Sequence, residues 1–270
     1  MKIKNIYMNA IMCIVALSAI PVRAMNSPAL KEEIVSYTSE GTTMKGFVVY
    51  DTNIKGKRPA VLVVHEWWGL NDYIKMRARK LAELGYIAMA VDMYGDGKIA
   101  NNPDEAKTMA GAFYGNPQLS KSRFEAAYNK IKEYSETDGN KIMAIGYCFG
   151  GSVVLNAAKL GVDLRGVVSF HGGLAGVPAK KELLKAKILV CHGGADKFVT
   201  DKDISNFKHE LDSIGAQYTF KVYANATHAF TNPEATAIGK KFNMPIEYNA
   251  EGDKNSWNDM KNFFAQVLSK

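Results

Sequence analysis

The sequence predicts an α/β protein: one doubly wound, mostly parallel sheet with helices on both faces, three layers deep. Three observations lead there. Short β-like runs alternate with helix-like segments along residues 25–270, the order that right-handed βαβ units generate. The central runs are continuously apolar, as strands buried on both faces must be. One of them, residues 141–146, passes straight into a glycine-rich turn and then into a helix-like segment. No repeat, low-complexity tract or linker interrupts the alternation. Residues 25–270 therefore read as a single domain, long enough for a substantial core.

The first 24 residues read as a leader ahead of that domain. Lys2 and Lys4 make a basic start, residues 10–20 an apolar stretch, and Val22-Arg23-Ala24 a small-residue ending. This is the layout of a secretory signal peptide, with cleavage expected near Ala24 and export to the periplasm or beyond. Its apolar stretch is too short for a spanning helix, and no later segment has the length of one. Strands are then predicted at 47–50 (Phe-Val-Val-Tyr), 60–65 (Ala-Val-Leu-Val-Val-His) and 87–92 (Ile-Ala-Met-Ala-Val-Asp). Four more follow at 142–147, 166–171, 188–192 and 218–223, all rich in β-branched or aromatic residues. Between them, 71–84 reads as an amphipathic helix with Tyr73, Met76, Leu81 and Leu84 on one side and Gly85 as its stop. Further helices are expected at 104–113, 122–134, 152–160, 201–214 and 257–268.

Composition excludes several functions. The chain carries 34 Lys and Arg against 27 Asp and Glu. Loss of Lys2, Lys4 and Arg23 with the leader would leave 31 against 27, a net +4. No dense basic run gives nucleic-acid binding any support. Of the three cysteines, Cys148 and Cys191 lie outside the leader. A disulfide between them is the rival to a catalytic thiol in an exported protein. In a doubly wound sheet, however, they fall on strands separated by another strand, too far apart to bridge. Cys191 reads as a core residue.

The turn itself is Gly146-Tyr147-Cys148-Phe149-Gly150-Gly151. A strand ending in Gly-x-Nuc-x-Gly and turning at once into a helix is the nucleophile elbow of α/β-hydrolases. Here a thiol takes the apex. A thiol nucleophile needs a base and a group to orient that base, in the chain order nucleophile, acid, histidine. There are five histidines. His209 sits mid-helix among charges, and His65, His171 and His192 each end a predicted strand. His228 lies in the loop after the last strand, where the base belongs. Between nucleophile and base, Asp196 follows a strand end and a Gly-Gly-Ala turn and is the expected acid. Asp201 and Asp203 compete, but both stand where helix N-capping accounts for them.

With these motifs in place, the chain resembles the dienelactone hydrolase family through nearly all of residues 25–270. The resemblance is carried by His65-Glu66-Trp67-Trp68-Gly69-Leu70-Asn71, by Asp92-Met93-Tyr94-Gly95 and by the Gly146–Gly151 turn. Gly193-Gly-Ala-Asp-Lys-Phe-Val199 and Thr227-His228-Ala229-Phe230 complete it. It implies an α/β-hydrolase fold and assigns the family's catalytic Cys, Asp and His to Cys148, Asp196 and His228. It also implies that Glu66 contacts the resting thiol and yields when substrate binds, which would shield the sulfur from alkylation and oxidation. The oxyanion hole is expected from the backbone amides of Trp67 and Phe149. Trp68, Tyr94, His171 and Asn232 are candidate pocket residues.

The chain departs from the family in one chemical respect. Members that cleave dienelactone grip its carboxylate with arginines, one of them shortly after the histidine. Here Thr231 and Asn232 follow Phe230, and no arginine occurs after Arg165. Neutral side chains do not replace a guanidinium fork. The expected reaction is therefore hydrolysis of a small-molecule ester or lactone lacking that carboxylate, through an acyl-enzyme. No cofactor is implied. No metal is expected either, because no second histidine follows His65-Glu66 at zinc-motif spacing. A thioesterase or acyl-peptide hydrolase with the same triad, and an exported binding protein that kept the fold without turnover, are the alternatives. Oligomeric state is not written in these motifs.

Overall fold

The computed structural model describes residues 27–269; the predicted leader lies outside them. Eight strands form one sheet: β1 (Leu30–Ser39), β2 (Thr42–Asp51), β3 (Arg58–Val64), β4 (Ile87–Val91), β5 (Thr137–Tyr147), β6 (Gly166–Phe170), β7 (Lys187–Gly193) and β8 (Tyr218–Tyr223). Their spatial order is β1-β2-β4-β3-β5-β6-β7-β8. β1 and β2 pair antiparallel at one edge, β2 joins β4 antiparallel, and every pair from β4 to β8 is parallel. Among the described residues there are seven helices, α1–α5 between strands and the last two after β8: α1 (Asp72–Glu83), α2 (Pro103–Tyr114), α3 (Pro117–Lys132), α4 (Phe149–Lys159), α5 (Asp201–Ser213), α6 (Ala235–Phe242) and α7 (Ala250–Leu268). Among the described residues no helix is long and apolar enough to cross a membrane.

The period-two alternation of the strands divides the core into two layers. On β3, Ala60, Leu62 and Val64 face one layer, where Phe113, Phe124, Val153 and Phe207 of α2, α3, α4 and α5 pack. Val61 and Val63 face the other, against Ile74 and Leu81 of α1 and Phe264 of α7. Cys148 directly follows β5 and Cys191 lies on β7, two strands away, and both are free thiols.

The sequence reading needs several corrections: β2, α3 and β5 start at Thr42, Pro117 and Thr137, each five residues before the predicted position. β1 lies where no strand is predicted, because Leu30-Lys-Glu-Glu-Ile34 carries charges on an exposed edge. α6 is likewise an addition. α7 begins at Ala250 rather than 257, since the Asn249 side chain accepts from the Gly252 amide and caps it there. The buried stripe of α1 is Tyr73, Ile74, Arg77, Ala78 and Leu81, whereas Leu84 is 44% exposed.

Candidate active site

The turn after β5 is built by glycines. A Cβ on Gly146 would strike the Gly150 carbonyl, and one on Gly150 would strike the Val64 carbonyl of β3. The chain can therefore reverse directly against the end of the neighbouring strand. Cys148, at the apex, has φ 51° and ψ −113°, a left-handed conformation costly for a residue with a Cβ. Its amide donates to Phe170 O at 3.0 Å and to His171 Nδ1 at 3.2 Å, and Gly150 N donates to His65 O at 3.0 Å. These bonds hold the strained apex in place, with its side chain half-exposed.

Loops from the ends of β7 and β8 meet this apex. His228 Nε2 lies 3.0 Å from Cys148 Sγ, and His228 Nδ1 lies 2.8 Å from Asp196 Oδ2. The other Asp196 oxygen accepts from the Phe198 amide at 2.8 Å. Burial pushes the Asp196 carboxyl up, but the hydrogen bond and charge of His228 outweigh it and hold the group below the usual carboxylate range. Burial pulls His228 down, yet the adjacent sulfur and the Asp196 carboxylate together raise it to about 10. Both neighbours thus favour the proton on His228, which suits the imidazole to take it from the thiol.

Phe149 and Trp67 carry the two expected amide donors. Among the described residues neither N–H donates to a protein acceptor. The Trp67 loop is fixed from below, where Tyr94 Oη donates to Trp67 O at 2.8 Å. Tyr94 in turn is seated by Asp92, whose Oδ1 accepts from the Tyr94 and Gly95 amides. His65 is structural: its Nε2 accepts from Met93 N, its Nδ1 bonds Glu66 O, and burial lowers it to about 4.

Glu66 is buried behind the site. Its Oε2 accepts from Asn232 Nδ2 at 2.7 Å, while the thiol is bonded to His228 rather than to this carboxyl. Burial raises Glu66 to about 7, against the lowering effects of Asn232, His228 and Arg77. The remaining candidates for the pocket also stand behind it. Asn232, His171 and Tyr94 are buried, and Trp68 is packed in a separate apolar cluster against Phe242.

A deeper polar layer has no counterpart in the sequence reading. His171 Nε2 lies 2.7 Å from Thr231 Oγ1, which lies 2.7 Å from Tyr73 Oη. Because His171 Nδ1 accepts from Cys148 N, its Nε2 carries the hydrogen. Burial, followed by the charges of His228 and Arg77, keeps its pKa well below normal. Arg77, fully buried, donates to Thr231 O and Asp253 Oδ1, both at 2.5 Å, with Tyr73, Tyr147 and Trp257 rings around its guanidinium. Thr231 points into this layer, away from any substrate. Arg77 was legible only as a charge on a helix, since Asp253 lies 176 residues away.

Comparison with known proteins shows the family. The family model of the dienelactone hydrolase family matches residues 44–268. The chain belongs to the dienelactone hydrolase family. Among the relatives of this family member is Protein usf of Aquifex pyrophilus, 28% identical over 242 residues that cover 88% of this chain and 99% of the relative. A solved dienelactone hydrolase-like promiscuous phosphotriesterase from metagenomic libraries superposes with a TM-score of 0.83 at 33% identity, covering 88% of this chain and 98% of its own. A structure named m3DLH gives 0.84 at 34%, covering 88% and 99%. Family and fold together make this a dienelactone hydrolase-like hydrolase with an α/β-hydrolase fold.

Proposed function

We propose that the protein is an exported hydrolase of carboxylic esters or lactones that works through a Cys148–His228–Asp196 triad and a thioester acyl-enzyme. The 3.0 Å contact between His228 Nε2 and the sulfur of the strained Cys148 carries this reading. His228 takes the thiol proton as Cys148 Sγ attacks the carbonyl carbon, and Asp196 holds the imidazole in the required tautomer. The negative charge moves onto the carbonyl oxygen, which the Phe149 and Trp67 amides receive; one such donor is worth ~3–4 kcal/mol of barrier. Collapse expels the alcohol, which takes the proton from His228. Water, deprotonated by His228, then cleaves the thioester and releases the acid.

Glu66 acts in this reading as a gate on the thiol. Its buried carboxyl holds a proton near neutral pH and is bonded to Asn232 when the sulfur engages His228. The six arginines of the chain support a substrate without a carboxylate. Arg77 is tied to Asp253, Arg79 to Glu32, Arg58 to Asp51 O, and Arg123 to Thr42 and Met93 O. Arg165 opens β6 at the opposite end of the sheet, and Arg23 lies outside the described residues. Among the described residues, no arginine stands free beside Cys148. A hydrolysis panel of lactones, aryl esters and thioesters, run with Cys148→Ala alongside, tests the reading. Ester or lactone turnover lost in the variant supports it; turnover retained by Cys148→Ala contradicts it.

A further inference from the structure

An open cleft of about 600 Å³ adjoins the triad. Its near end is set by two aromatic rings. Phe198 stands 4.9 Å from the His228 ring, and Tyr114 stands 5.7 Å from the Phe149 ring. Phe149 directly follows Cys148, so this contact sets Tyr114 at the turn that carries the thiol. Ser152, one turn along α4 from Cys148, and Gly173, two residues past His171, continue the wall. Leu174, Ala175, Val177 and Val199 extend it away from the thiol.

We propose that this cleft is the specificity subsite of the enzyme and takes an uncharged alkyl or aryl arm of the substrate, extending from the scissile carbonyl past Phe198 and Tyr114. The inference rests on the ester-hydrolase reading above and names the substrate class within it. No lysine, arginine or histidine lines the cleft. Its one ionisable carboxylate, Asp203, is held in the cap of α5 by the Thr200 amide and hydroxyl at 2.9 and 2.6 Å. Ser152 Oγ donates to Gly173 O, and Asn156 Oδ1 accepts from Val177 N. An anionic arm would meet a carboxylate and no cation, and so would lose water without gaining a charged partner. An apolar arm would cover Phe198 and Tyr114, which stand 54% and 58% exposed beside His228 and Phe149. Exposed rings of that size at a cleft mouth favour apolar contact.

The test is a series of p-nitrophenyl esters from acetate to octanoate, with an ω-carboxylate ester matched in length to one of them, assayed on the full protein. kcat/KM rises about two- to fourfold per added methylene until the cleft is filled, the upper figure matching ~0.8 kcal/mol of apolar burial. The ω-carboxylate ester is at least tenfold poorer than its neutral match. Ala175, exposed on the cleft wall, supplies two further arms. Ala175→Trp lowers the octanoate-to-acetate ratio at least fivefold, and Ala175→Lys narrows the discrimination against the carboxylate at least fivefold. Acetate turnover with no chain-length dependence, or ratios unmoved by both variants, overturns the subsite while leaving the hydrolase reading intact. Failure to turn over any ester removes both.

Discussion

The two sides of the turn at Cys148 differ in every respect that governs a reactive group. In front, the thiol, His228 and Asp196 form a short chain open to a cleft, with the sulfur half-exposed. Behind, Glu66, Asn232, His171, Thr231, Arg77 and Asp253 are buried and paired with one another or with backbone. The comparison teaches that a strained, polar nucleophile is held by a buried polar layer rather than by apolar packing alone. That layer fixes the apex directly, because His171 accepts from the Cys148 amide. Front residues should therefore govern rate, and back residues stability first.

The largest expected effect is at the front. His228→Ala lowers kcat/KM by at least ~10³, equivalent to ~4 kcal/mol of barrier, with little change in thermal midpoint. A collapse of the midpoint together with the rate would erase the division. Next comes Arg77→Met, which leaves Asp253 buried and unpaired. It should cost about 3–5 kcal/mol in urea unfolding, and a cost under ~1 kcal/mol would show that the back layer is not a stabilising element.

Glu66 sharpens the comparison through pH. Its folded pKa, about 7, lies above the ordinary value of 4.5, so the unfolded chain releases this proton first. The folded state accordingly loses stability as pH rises from about 4.5 to about 7 and no more above it. A shift of that size corresponds to about 3 kcal/mol. Glu66→Gln removes this loss, so the variant gains on the parent through that window and the gap stays level beyond it. A gap of opposite sign would mean that Glu66 is ionised and stabilised in the fold. Smallest is Cys191→Ala, a cavity of one sulfur costing about 1 kcal/mol and no more than twofold in kcat/KM. Cys191 is buried and burial pushes its thiol up to about 12, out of the reactive range.

The front was legible in the sequence and the back was not, for a physical reason. A sharp strand-to-helix turn leaves glycines at fixed spacing, and a triad leaves its histidine and acid at strand ends. Cys148, Asp196 and His228 can thus be read as candidates from local pattern, and the geometry brings them together. Continuous apolar runs likewise reveal the parallel strands. The edge strand β1 has no such run because half of it faces water, and α6 is eight residues long and holds Gly239. The back layer depends on pairings across long separations, such as Arg77 with Asp253 and Glu66 with Asn232, 166 residues apart. Helical periodicity places a charge such as Arg77 outside by default. Only the fold shows that the stripe it belongs to is buried.

The nucleophilic role of Cys148 is tested most directly by finding where the acyl group goes. The protein is mixed with the p-nitrophenyl ester of a bulky, slowly deacylating acid, quenched in acid, digested and mapped by mass spectrometry. The account predicts one acyl group per chain, on the peptide carrying Cys148, with Cys191 unmodified and the adduct absent in His228→Ala. An acyl group on another residue, or turnover continuing with Cys148 alkylated, would contradict it.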